Sequence, residues 1–148
     1  MWLKTIALVC LALISTCWAV IIHESQAYPE PVRRIRGRIV AGSESLRMNV
    51  NVAAFNHPEV WSDDSLTPEQ KRKKQRKIAA TWTDEDGKFA LKELDPGRYE
   101  VEFSKGNGGW NVLSLFIRVD PNGKSDDLCI QLGIEGSEHE SSARPCNP

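Results

Sequence analysis

The sequence predicts an all-β protein, a seven-stranded antiparallel β-sandwich with one insertion that carries a short basic helix. Apolar residues recur at every second position from Ile35 onward, which is the period of a half-buried strand. Turn residues separate these runs at Asp86-Gly87, Pro96-Gly97 and Pro121-Asn122-Gly123. Helical spacing is not sustained anywhere. Seven short strands joined by tight turns are typical of a sandwich, and 148 residues suit a single domain.

The first 27 residues are predicted to be an export signal. A single lysine, Lys4, precedes the apolar run 5–22, and small residues lead up to an expected cleavage site before Tyr28. Two alternatives remain open: an uncleaved membrane anchor, because the run is just long enough to span a bilayer, and lipidation at Cys17. Each version places the rest of the chain outside the cytoplasm, with 28–34 as a linker.

The seven strands are predicted over 35–136. Each row of apolar residues alternates with mostly polar ones, so one face of each strand is expected to be buried. Trp82 and Tyr99 are in phase with these rows and are predicted to be core residues. The inward rows are Ile35, Gly37 and Ile39; Met48, Val50, Val52 and Ala54; Ile78, Ala80 and Trp82; Phe89 and Leu91; Tyr99, Val101 and Phe103; Leu113, Leu115, Ile117 and Val119; and Leu128, Ile130, Leu132 and Ile134.

Residues 56–77 interrupt the strand pattern and form the predicted insertion. Thr67 is a candidate helix N-cap, with Pro68 at the first helical position and Gln70 three residues beyond the cap. The helix has no apolar face, so we expect it to project into solvent. The polar segment 137–148 shows no periodicity and is predicted to be a disordered tail.

Cys129 and Cys146 are the two cysteines that remain after removal of the export signal. In an oxidising compartment such a pair predicts a disulfide that ties the C-terminal tail to the last strand. Two cysteines are fewer than the four ligands of a usual structural zinc site. The sequence predicts no metal and no cofactor.

A dense basic run is the first candidate binding feature. The net charge of −1 does not reveal this run, because it averages over the whole chain. Association with a partner depends on the charge of the local surface. The basic run is expected either to bind an anionic polysaccharide or a membrane surface, or to be a solvated segment of the insertion; export makes nucleic acid an unlikely partner. Its cations are Lys71, Arg72, Lys73, Lys74, Arg76 and Lys77.

Trp61 and Trp110 are the second candidate. Both fall in predicted loops, where an indole can stack on a sugar ring or plug one end of the sandwich. Both interpretations stay open.

Catalytic groups are sparse in the sequence. His57 and His139 are the histidines after the predicted cleavage site, and neither lies beside a serine, cysteine or carboxylate in a known catalytic arrangement. The acidic stretch 84–86 reads as a hairpin turn rather than a calcium loop, since Gly87 follows at once. We therefore expect no enzymatic activity.

The block 83–91, TDEDGKFAL, followed by 94–101, LDPGRYEV, resembles the core of carboxypeptidase regulatory-like domains. Residues 35–39 resemble the opening strand of that family and 48–52 its second strand, so the resemblance covers roughly 35–134. It implies a transthyretin-like (prealbumin-like) or starch-binding-like sandwich. It also implies an accessory, structural or ligand-binding role with no catalytic residues.

The expected function is that of a non-catalytic exported module with a structural or protein-interaction role. The alternative is binding of carbohydrate or polyanion through Trp61 and Trp110 or through the basic run. The partner is expected to be an unidentified protein or a cell-envelope polymer. The location is expected to be secreted, periplasmic or at the cell surface, with an uncleaved N-terminal helix as a possible tether.

Overall fold

The computed structural model describes residues 23–40, 47–106, 109–134 and 140–147. These residues form nine strands, one α-helix and one 3-10 helix. The strands are β1 (His23–Ala27), β2 (Arg36–Ile39), β3 (Asn51–Phe55), β4 (Lys77–Trp82), β5 (Lys88–Ala90), β6 (Gly97–Ser104), β7 (Val112–Val119), β8 (Leu128–Gln131) and β9 (Ser142–Pro145); the 3-10 helix is Pro58–Ser62 and the α-helix, α1, is Pro68–Lys74.

The strands form two mixed sheets. One has five strands in the order β1-β7-β6-β3-β4, and the other has four in the order β5-β2-β8-β9. Strand β1 runs parallel to β7 and β2 parallel to β8, while all other named pairs are antiparallel. The prediction of a mostly β chain is confirmed. The strand count of seven is wrong because β1 and β9 lack the apolar alternation by which strands were recognised. The purely antiparallel pairing is also wrong, because alternation marks the buried face of a strand and not its direction.

One hydrophobic core joins the two sheets. Phe89 of the four-stranded sheet meets Phe103 of the five-stranded sheet edge to face, with ring centroids 5.4 Å apart. Tyr99 is buried in this core as predicted, and its hydroxyl donates to the Asp95 carbonyl at 2.8 Å. Burial raises the pKa of Tyr99 above its usual value. The alternating apolar rows therefore do form the interior.

The inward row predicted for β4 is wrong. Ala79 is buried, whereas Ala80 is exposed and Trp82 is 62% exposed. The register between β3 and β4 shifts next to Phe55, where a β-bulge places an extra residue in β4. An extra residue reverses the alternation of faces, so the apparent period through Ile78 crosses from one face to the other. Ile134, predicted to face inward at the end of its row, is also exposed, at 43%.

The tight turn predicted between β4 and β5 is present, but the hairpin predicted from it is wrong, because β4 and β5 belong to different sheets and do not pair. Gly87 has a φ of 77°, a left-handed conformation that glycine adopts at little cost. The Asp84 carboxylate accepts the backbone N–H groups of Asp86 and Lys88 at 3.0 and 2.8 Å. One oxygen of Asp84 therefore shapes the turn, which carries the chain from one sheet to the other.

The C-terminal segment is folded where a disordered tail was predicted. Residues 142–145 form β9 against β8, and Cys129 is joined to Cys146 in a disulfide with Cα atoms 4.8 Å apart. The side-chain amide of Gln26 makes two hydrogen bonds with the backbone of Ala143. Its Oε1 accepts from the Ala143 N–H at 2.9 Å, and its Nε2 donates to the Ala143 carbonyl at 3.2 Å. The outer edge of β9 is thereby capped by a side chain from β1, which the sequence pattern could not show.

Strand β1 lies inside the segment predicted to be removed as an export signal. It pairs with β7 over its whole length, so the folded unit reaches from 23 to 147 and is longer than the predicted 35–136. The apolar run 5–22, with Cys17, lies outside the described residues. Within the described part of the chain, no helix is long and apolar enough to cross a membrane.

Candidate functional site

The insertion lies against the outer face of the five-stranded sheet, and the prediction that its helix projects into solvent is wrong. Helix α1 begins as predicted: Thr67 Oγ1 accepts from the Gln70 backbone N–H at 3.2 Å, and Gln70 Oε1 accepts from the Thr67 N–H at 2.8 Å. The helix then ends at Lys74. Polar contacts hold it to the sheet, and they converge on one carboxylate.

Glu100 of β6 is the centre of this polar network and is fully buried. Its Oε1 accepts from the Ser114 hydroxyl at 2.7 Å. Its Oε2 accepts from Trp61 Nε1 at 2.6 Å and from Gln75 Nε2 at 2.8 Å. A buried carboxylate must find donors and a countercharge within the fold, and the insertion supplies both.

Arg72 of helix α1 provides the countercharge. One of its terminal nitrogens lies 3.1 Å from Glu100 and 2.7 Å from Glu102, and the other donates to Glu100 at 3.2 Å. The guanidinium lies over the Phe55 ring at 4.1 Å and 5.4 Å from the Trp61 ring. Bidentate pairing and ring stacking together are what arginine, and not lysine, can provide. Arg72 therefore fastens the insertion to the sheet.

The basic run divides between the interior and the surface. Lys71 is buried and donates to the Trp61 carbonyl at 3.0 Å, and Arg72 is held in the network. Lys73 is exposed and pairs with Glu69 at 2.8 Å. Lys74, Arg76 and Lys77 are exposed without an ion pair to another described residue. The six cations proposed as one anion-binding surface are thus reduced to four.

Neither of the two candidate tryptophans stands free for sugar stacking. Trp61 lies in the 3-10 helix, with its indole N–H bound to Glu100 and its ring near Arg72. Trp110 packs against the hydrophobic core, and its backbone forms a bridge with Ile134. Among the described tryptophans the exposed indole is that of Trp82, which the apparent strand period had assigned to the core.

His23, Glu100 and Glu102 bring ligand atoms within 4.8 Å of one another, a spacing that suits a metal ion. The donors around Glu100 argue against that use. Its carboxylate already accepts five hydrogen bonds, against roughly four lone-pair sites, and Arg72 holds a positive charge beside it. A metal would have to displace Arg72, so the cluster is better described as an ion-pair network.

Of the two histidines considered as catalytic candidates, His57 lies within the described residues. The His57 Nδ1 atom lies 3.0 Å from Glu59 on the exposed surface, and its backbone φ of 52° places it at the start of the 3-10 helix. No serine or cysteine side chain among the described residues is bonded to it. His139 lies outside the described residues.

The fold and the network together define the class: an all-β protein of two mixed sheets, with a helical insertion fastened to one sheet by a buried carboxylate–arginine pair. No family model matches the chain, and no curated protein or solved structure matches it either.

Proposed function

We propose that this chain is a non-catalytic exported β-sandwich module that binds an extended segment of a partner protein along β4. The block 83–101 supports a finer assignment to the carboxypeptidase regulatory-like, transthyretin-like group. The observation that carries the binding role is the position of Trp82 on an edge strand. An indole that is 62% exposed is a typical contact residue of interfaces.

Strand β4 is suited to receive another strand. It is the last strand of the five-stranded sheet and pairs on one side with β3. Edge strands offer backbone N–H and C=O groups to an incoming peptide. Ala80 and Trp82 are both exposed, so a peptide here would meet little steric obstruction and one large ring. A partner segment with an apolar side chain opposite Trp82 fits this edge.

The first prediction concerns Trp82→Ala. Peptides selected from a displayed library on the purified chain should bind about 30-fold more weakly to this variant, as expected for loss of an aromatic hot-spot residue. Ile134→Ala serves as the control, because Ile134 is the other large exposed apolar side chain among the described residues. Selected peptides that bind both variants equally well, or that shift NMR signals away from 77–82, would contradict the proposal.

A second candidate function is binding of an anionic polymer through the exposed cations of the insertion. Lys74, Arg76 and Lys77 follow one another closely at the end of α1 and the start of β4, and Lys73 adds a fourth charge. Such clusters attract polyanions with a strength that falls as salt screens the charges.

The second prediction tests this candidate. Replacing Lys73, Lys74, Arg76 and Lys77 together by glutamine should lower the salt concentration that elutes the chain from a sulfated polysaccharide column. Glutamine keeps the length of the side chains while removing their charge. A control variant, Lys88→Gln with Lys124→Gln, removes exposed cations elsewhere on the chain. Equal elution of wild type and the fourfold variant would exclude this surface.

A further inference from the structure

A cleft lies beside the insertion, between the segment that follows β1, the start of the 3-10 helix, and the paired strands β6 and β7. Its volume is about 330 Å³, at the small end of the range for ligand sites. The cleft is separate from the free edge of β4, because β3 lies between β4 and β6, the nearer of the two strands that line the cleft. The side chains that matter for its chemistry are those of Tyr28, Pro58, Arg98, Phe116 and Arg118.

Two arginines meet in this cleft. Arg98 of β6 and Arg118 of β7 are direct cross-strand partners, so their side chains leave the same face of the sheet side by side. Like charges in this position destabilise a sheet unless something compensates them. In the absence of a ligand they repel each other.

The acidic groups nearby compensate this pair incompletely. The pKa of Glu59 is lowered by a backbone hydrogen bond and by His57, and the Arg98 charge adds a small lowering, but Glu59 forms its ion pair with His57. Asp120 reaches Arg118 at 4.0 Å, the outer limit of an ion pair, and no ion pair involves Arg98 within the described residues. Glu30 also lines the cleft, but its carboxylate lies 3.7 Å from the Lys124 ammonium. Two forked guanidinium groups therefore remain available to a ligand.

Part of the cleft wall is apolar. Tyr28 and Phe116 are half-buried and Pro58 is buried, which leaves ring surfaces beside the two cations. A guanidinium fork matches the planar geometry of a carboxylate and also binds the oxygens of sulfate and phosphate. Two cations exclude a metal ion, and a neutral apolar ligand would desolvate both charges without compensation.

We propose that this cleft binds a small ligand, or the end of a larger one, that carries a carboxylate, sulfate or phosphate group on a ring. Arg98 and Arg118 bind the oxyanion, and Tyr28, Phe116 and Pro58 contact the ring. The site does not depend on the β4 edge, so either proposal can fail without the other.

The test is a titration of the purified chain followed by NMR of its backbone amides. Glucuronate, sodium sulfate and sodium phosphate are the probes, with acetate as a carboxylate that lacks a ring, all at constant ionic strength. Saturable shifts are expected in 28–31, 97–99 and 116–118. Arg98→Gln and Arg118→Gln should each weaken binding by roughly tenfold, the effect of losing a hydrogen bond to a charged group.

Arg38→Gln is the matched control. Arg38 faces Lys88 as a direct cross-strand partner on the four-stranded sheet, so it is also a like-charged pair, but it does not line this cleft. An equal loss of binding in Arg38→Gln, or no saturable shift with any probe, would overturn the site. Binding of acetate as tight as that of glucuronate would overturn the role of the ring contacts.

Discussion

Arg72→Ala is expected to lower the free energy of unfolding by about 3–5 kcal/mol, the usual cost of removing one partner from a buried ion pair. Glu100 would keep its hydrogen bonds from Trp61, Gln75 and Ser114 but would lose its countercharge while remaining fully buried. Urea denaturation followed by tryptophan fluorescence measures the change, because Trp61 lies within the network.

Two further variants make this result specific. Lys73→Ala breaks the exposed pair with Glu69 on the same helix and should cost no more than about 0.5 kcal/mol. Combining Arg72→Met with Glu100→Gln removes both charges but keeps a side-chain oxygen that can accept from the neighbouring donors, and it should recover part of the stability lost in Arg72→Ala. If Arg72→Ala cost as little as Lys73→Ala, the carboxylate–arginine pair would not be what holds the insertion to the sheet.

A chain that starts at Tyr28 is expected to be much less stable than one that starts at His23. Removing β1 deletes a five-residue parallel pairing and exposes the backbone edge of β7. It also deletes Gln26, which caps β9, and Glu24, which accepts from Asn111 and the Ser141 backbone. The expected loss is several kcal/mol, a large part of the 5–15 kcal/mol that stabilises a typical domain.

Thermal unfolding and size-exclusion chromatography of the two chains measure this difference. The chain from Tyr28 should unfold at a lower temperature and should associate through β7. Under the proposed export, the mass of the mature chain adds a second readout, since an intact β1 requires that any cleavage occur before His23. Equal stability of the two chains would show that β1 contributes little, and the predicted cleavage before Tyr28 would then be compatible with the fold.

Much of the fold could be predicted from the sequence because a half-buried strand records its buried face in alternate residues. Val50, Val52, Val101 and Leu115 are all completely buried, as their period indicates. Strand β1, with the sequence HESQA, has no such period. Its place in the sheet depends on pairing with a strand about 90 residues away, which local pattern does not encode.

The polar network could be predicted far less well. Glu100 and Glu102 alternate outward along β6, where a sheet face usually meets water. Arg72 belongs to a run of cations with no apolar face, so nothing local distinguished it from Lys73 or Lys74. The register of the sheet and the docking of the insertion bring these charges together. One indication of this network was present in the sequence. Two acidic residues face outward on one strand, and the insertion carries the opposite charge.

The two hydrogen bonds between the Gln26 side chain and Ala143 affect the order in which native contacts form during folding. They join residues 117 positions apart, near the two ends of the chain. Contacts of such high sequence separation slow folding, because a long loop must close before they can form. On a ribosome, β1 can pair with β7 as soon as β7 has emerged, whereas Gln26 cannot bind Ala143 until β9 has emerged. The contact between β1 and β9 can therefore form only after the pairing of β1 with β7 has become possible.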